Sequence, residues 1–200
     1  MSLAQTHNEP TPGTWTDRND IFLVSDLHMA DGKTGPFGKF TQGENFFWDD
    51  SFQRFLKNIE EPGKSQTLII NGDFFDFLRV NRIPRNENRD DAALVQRWIL
   101  FLRAINHPAA GKDLYIADDS EKEYGFKTND YKSVWKLLLI FLGHKQFFDA
   151  LHTFLQKDDN RLLIVKGNHD IELFWEAVRQ AFVFFLAGDD AQLYSVFNER

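Results

Sequence analysis

Apolar residues fall along the chain in three short runs separated by longer, helix-like stretches. Ile21–Ser25, Thr67–Ile70 and Leu162–Val165 are runs of strand length, the pattern of strands buried in a parallel sheet. Between them the period changes. Phe52, Phe55, Leu56 and Ile59 follow the i, i+3, i+4, i+7 rule and predict a helix opened by Asp49, Asp50 or Ser51 and stopped by Pro62-Gly63. Leu94, Trp98, Leu102 and Ile105 share one face of a helix over 91–105. Residues 131–157 predict a helix broken at Gly143, and 171–186 a final, very apolar helix. Residues 1–19 read as a flexible polar tail and 106–130 as irregular. Gly32, Gly35, Pro36, Gly38 and Gly43 mark 29–48 as a long mobile loop. The order strand, helix, strand, helices, strand, helix predicts an α/β fold with parallel strands, one domain over 20–200 carrying a helical insertion at about 80–157. In such sheets ligands sit at the carboxyl ends of the strands.

Composition narrows the chemistry. The 200 residues hold 23 Lys+Arg against 30 Asp+Glu, so there is no net positive field for nucleic-acid phosphates. The absence of Cys excludes disulfides, thiolate zinc sites, iron–sulfur clusters and a Cys nucleophile, which leaves His and oxygen ligands for any metal. No apolar run approaches the ~18 residues of a membrane span, and the N-terminus lacks a secretory pattern, so the expectation is a soluble, cytoplasmic chain. The 21 Phe call for a large core or a partner surface.

Each short apolar run is followed by a polar motif: Asp26-Leu27-His28, then Gly72-Asp73-Phe74-Phe75-Asp76, then Gly167-Asn168-His169-Asp170. On an extended backbone Asp26 and His28 project to the same side and can reach one ion together. Each Gly lets the chain turn as it leaves the sheet. Gly-Asn-His-Asp arises by chance in roughly one chain in a thousand of this length. All three motifs in order, each behind a strand, point to one shared site at one sheet edge.

These motifs resemble the first three signatures of the calcineurin-like metallophosphoesterases. The resemblance implies an αββα sandwich of two sheets flanked by helices, two divalent metal ions (manganese, iron or zinc) and hydrolysis of a phosphomonoester, phosphodiester or diphosphate. Position by position, it implies metal ligation by Asp26, His28, Asp73 and Asn168, with Asp73 bridging both ions. His169 would assist the leaving group, oriented by Asp76. Phe77 stands where the protein phosphatases of this superfamily have Arg. The chain looks closer to bacterial UDP-2,3-diacylglucosamine hydrolases, although these often have Arg at the position of His169. The implied substrate is a phosphorylated small molecule, a nucleotide or a lipid-linked phosphate. Four arginines and one glutamate within Arg79–Arg89 make Arg79, Arg82 and Arg85 candidates for gripping substrate phosphate, with Lys33 a weaker one.

The family's two later elements, a single His and a Gly-His-x-His, have no counterpart, because no His follows His169. His7, His107, His144 and His152 lie in the wrong order, and His144 and His152 read as helix-surface or packing residues. The sequence is therefore expected to be truncated before its second sheet is complete, and to self-associate through exposed apolar surface. The alternative is a degenerate member that serves as a binding or scaffold module.

Overall fold

The computed structural model describes residues 19–33, 38–85, 89–157 and 159–187. Expectations for residues 1–18, including His7, lie outside the described residues. The fold is α/β. Strands β1 (Asn19–Val24), β2 (Ser65–Asn71) and β3 (Arg161–Val165) form a parallel sheet in the order β1-β2-β3. Helix α1 (Asp49–Ile59) joins β1 to β2. Helices α2 (Arg89–Ala104), α3 (Asp119–Tyr124), α4 (Asp130–Gly143) and α5 (Lys145–Leu155) lie between β2 and β3, and α6 (Glu176–Ala187) follows.

The strands are buried on one face only. Register places Phe22, Leu68 and Leu162 in one cross-sheet row and Val24, Ile70 and Ile164 in another, and both rows pack against the core. The intervening row, Leu23, Ile69 and Leu163, points the other way, with Leu23 61 % and Leu163 52 % exposed. The expectation of fully buried strands is thus corrected: among the described residues nothing covers this second face.

The core lies under the first face and is built largely from the helices between β2 and β3. Helix α4 buries Val134, Trp135, Leu137, Leu138, Leu139 and Ile140 almost all round, and packs on α6. Helix α5 packs on α1, with the rings of Phe52 and Phe147 stacked at 3.8 Å. The helix breaks at His144, whose backbone is non-helical (φ −116°, ψ 36°), and Gly143 before it lies against the 31–33 backbone. A Cβ there would fall 2.1 Å from the Asp31 carbonyl oxygen.

Three local expectations are revised. Residues 106–130 are not wholly irregular: Asp118 and Glu121 cap α3 reciprocally, Glu121 N donating to Asp118 Oδ1 (2.8 Å) and Asp118 N to Glu121 Oε2 (3.1 Å). The last helix starts late, because 171–174 form a separate 3-10 turn and Trp175 is extended, which interrupts the helical ladder. The described parts of the loop after His28, 29–33 and 38–48, are tied together, with Thr41 Oγ1 bonded to Asp31 at 2.5 Å and Glu44 buried. No described helix is long and apolar enough to cross a membrane.

Candidate metal centre

At the carboxyl edge of the sheet the three motifs meet. Beyond the last ladder bond the exits of β1 and β2 stay paired: Asp26 N donates to Gly72 O (3.3 Å), His28 N to Asp73 O (2.9 Å), Met29 N to Phe74 O (3.1 Å) and Asp76 N to Met29 O (2.9 Å). Gly72 N donates to Val165 O (2.9 Å) and ties in β3. Within this brace Asp26, His28 and Asp73 hold left-handed backbone, with φ of 56°, 48° and 48°. Such conformations cost about 1–3 kcal/mol each outside glycine and persist where the surroundings over-determine them, most often at functional sites. The common side shared by Asp26 and His28 therefore comes from two left-handed residues, not from extended alternation.

One oxygen or nitrogen from each of Asp26, His28 and Asp73 lies within 4.8 Å of the others. A second group, His28, Asp76 and His169, meets the same limit and shares His28. His28 Nε2 is 3.9 Å from Asp73 Oδ2, and its Nδ1 is 3.9 Å from Asp76 Oδ2. The rings of His28 and His169 meet edge to face at 4.6 Å. His169 N donates to Asp73 Oδ1 at 3.0 Å, which fixes the third motif against the second. Asp26 is exposed, His28, Asp73 and His169 are half-buried, and Asp76 is buried, so the site grades from an open rim to a closed floor.

The two motif glycines serve different ends. Gly72 has φ +81° and allows the turn. Gly167 gives clearance: a Cβ there would fall 2.2 Å from Asp73 Oδ1 and 2.3 Å from Asp73 N.

Asp76 is shared. Its Oδ2 is 3.5 Å from His169 Nδ1 and accepts from Arg79 Nε at 2.9 Å, while its Oδ1 is buried without a partner. His28 Nδ1 is also buried and unpartnered. Buried polar atoms without a partner call for an explanation, and Asn129, Ser133 and Glu172 carry others outside the three motifs. Asn168 is exposed on the turn beside His169. Of the arginines, Arg79 reaches the centre through Asp76 and also donates to Asn45 Oδ1 (3.3 Å). Arg82 is ion-paired with Asp91 of α2, Arg85 N donates to Asp91 Oδ2 (2.9 Å), and the Arg85 side chain is exposed. Lys33 lies over the Phe40 ring at 4.8 Å.

Sequence reasoning missed several supports. Asp170, the last residue of the third motif, is fully buried and accepts from Gly167 N (3.1 Å) and Phe74 N (3.2 Å), stitching the third motif to the second. Burial pushes its carboxyl above the usual range, and the two amides pull it back. Its place inside Gly-Asn-His-Asp was the available signal. Lys136 and Glu172 are buried behind the centre. Burial lowers the Lys136 ammonium pKa against the pull of Glu172, Glu121 and Asp76, and raises that of Glu172.

The remaining described histidines are engaged elsewhere. His107 Nε2 meets Asp130 Oδ2 at 2.9 Å, and His152 Nδ1 meets the Leu186 carbonyl at 2.7 Å. His144, expected on a helix surface or in ordinary packing, is fully buried between two carboxylates, Asp49 (3.0 Å) and Glu44 (2.9 Å). A cleft of about 570 Å³ lies at the opposite end of the sheet, between Glu60–Gln66 and Lys157. It is lined by charges already paired, Lys64 with Glu61 (2.8 Å) and Lys157 with Glu60, and is remote from this chemistry.

No protein-family model matches the sequence, and no solved structure matches it. The chain is similar to an uncharacterized protein of Methanocaldococcus jannaschii, 26% identical over 101 residues, which cover 50% of this chain and 48% of that protein. The chain thus spans about half the length of this relative.

Proposed function

We infer that the chain carries the metal centre of a metallophosphoesterase, an enzyme that hydrolyses a phosphomonoester, phosphodiester or diphosphate. The observation that carries this reading is the pair of donor groups sharing His28, built on three left-handed residues at the ends of β1 and β2. Strain of that kind, held by four backbone bonds, preorganises ligands rather than stabilising a fold. The donor set fits a divalent ion: two carboxylates and an imidazole converge, and mixed nitrogen and oxygen ligands suit manganese, iron or zinc. Asp26, His28 and Asp73 would hold one ion, and Asp73 with Asn168 a second. Bound there, such ions supply a Lewis acid and an activated water.

The chain's own residues perform the other tasks. Asp73, pinned by the His169 amide, keeps its carboxylate at the junction of all three motifs. His169, half-buried at the rim, is placed to hand a proton to the departing oxygen. The Asp76 carboxylate faces His169 from the floor, and Arg79 holds that carboxylate in place. The open row Leu23, Ile69 and Leu163 is the face that the second sheet of an αββα sandwich would cover.

A second reading, a binding module without turnover, is favoured by one observation. His107, His144 and His152 are committed elsewhere, so none of them adds to Asp73 and Asn168, the two second-ion ligands that the resemblance implies. The test is hydrolysis of bis-p-nitrophenyl phosphate and p-nitrophenyl phosphate by the full chain with and without manganese. Manganese-dependent release of nitrophenol supports the enzyme. Manganese binding without release supports the binding module, and neither sinks both.

A further inference from the structure

The geometry points to Glu44 and His144 as positioning residues for the candidate centre, acting through the backbone that leaves His28; this rests on the metal-centre reading above. Glu44 is buried in the loop between β1 and α1. Its carboxylate accepts from Gly32 N (2.7 Å) and, through both oxygens, from Ala30 N (3.2 and 3.3 Å). It also accepts from Asn45 N (2.9 Å) and Phe46 N (2.7 Å) in its own turn. On the far side Glu44 Oε2 meets His144 Nε2 at 2.9 Å, and His144 Nδ1 meets Asp49 Oδ1 at 3.0 Å. His144 sits at the junction of α4 and α5, where Lys33 N donates to Gly143 O (3.3 Å) and the Gly32 and Gly143 backbones touch.

The cluster therefore joins the middle of the helical layer to Ala30, two residues past His28. A left-handed histidine needs its backbone held on both sides. Before and at His28 the brace is the pairing with the β2 exit, through Asp26 N and His28 N. After it, the brace is Met29 N on Phe74 O and then the Glu44 carboxylate on Ala30 and Gly32. A buried ion pair is a poor source of net stability, because an apolar replacement often does as well. A carboxylate that gathers four backbone amides does what an apolar side chain cannot: it dictates where that backbone runs.

The experiment compares the full chain with Glu44→Gln and His144→Gln by amide hydrogen exchange and by calorimetric titration with manganese. Exchange at Ala30 and Gly32 should accelerate at least ~10-fold, while Ile69 and Ile70 in β2 keep their protection. Manganese affinity should fall ~10–100-fold, the usual effect of losing a group that orients a ligand. Faster exchange with unchanged affinity overturns the positioning role, and unchanged exchange overturns the clamp. Should either variant fail to fold, Thr41→Val removes the Thr41–Asp31 bond on the same loop and must move both readouts in the same direction. If the unaltered chain takes up no manganese, the metal-centre reading fails. The inference is then read from the His28 ring signals by NMR, which must shift in both variants and overturn it if they do not.

Discussion

At the scale of single residues, Asp73 and His169 carry the account. Asp73 touches all three motifs: its backbone accepts from His28, its side chain accepts from His169 N and faces His28 Nε2, and Gly167 leaves the room it occupies. His169 is tied through its backbone, so its ring can be removed without unpinning Asp73. His169→Ala should keep manganese binding and lose ~10²–10⁴-fold in turnover, most for alkyl phosphates and least for nitrophenyl esters. Equal losses for both substrate types, measured in steady-state assays, would remove His169 from the proton-donor role. The motif residues were legible in the sequence because each stands directly after an apolar run. What their order did not reveal is the left-handed backbone at Asp26, His28 and Asp73: Asp and His visit that region more often than most residues, but still rarely, so their type alone does not announce it.

At the scale of elements, the buried cluster of His144, Glu44 and Asp49 makes the docking of the 30–46 loop pH-dependent. Burial lowers the His144 pKa, but the two carboxylates more than offset this and lift it from 6.5 to about 9. Burial likewise raises that of Glu44, and His144 with the backbone amides brings it below its ordinary 4.5. Asp31, the other acid on this loop, has its carboxyl raised by burial and bonds Thr41. The signs follow. A raised histidine pKa gives stability that is full below pH 6.5 and lost as pH rises through about 9, and the lowered Glu44 gives stability lost as pH falls below 4.5. The histidine shift corresponds to roughly 3 kcal/mol. His144→Gln should therefore lower Tm strongly at pH 6, with the gap to the unaltered chain closing above pH 9. A gap independent of pH would show that the imidazolium charge is not what holds the loop. Nothing in the local pattern announced this cluster, because His144 lies about a hundred residues along the chain from Glu44 and Asp49 and no local period links them. By contrast, the span of α1 and the break at Gly143 followed from spacing and a glycine, although the residue capping α1 is Trp48, with no side-chain bond, rather than Asp49, Asp50 or Ser51. The short helix α3 was legible in principle from Asp118 and Glu121 as a capping pair.

At the scale of the whole molecule, the parallel order of the strands came from their alternation with helical stretches, but the asymmetry of the sheet did not. A strand reads as equally apolar whether one face or both are covered, so Leu23 and Leu163 gave no sign of their exposure. Parallel sheets are normally covered on both faces, and an open apolar row invites association. The chain should self-associate at micromolar concentration in sedimentation velocity, and Leu23→Lys with Leu163→Lys should shift it toward monomer. A monomeric unaltered chain would show that this face tolerates water. The most direct test of the central claim, that the three motif ends form one metal centre, is calorimetric titration of manganese into the full chain and into Asp73→Asn. The unaltered chain should bind manganese and the variant should lose that binding, with activity falling at least ~100-fold. Unchanged metal stoichiometry in Asp73→Asn would contradict the assignment of Asp73 as the ligand on which the centre is built.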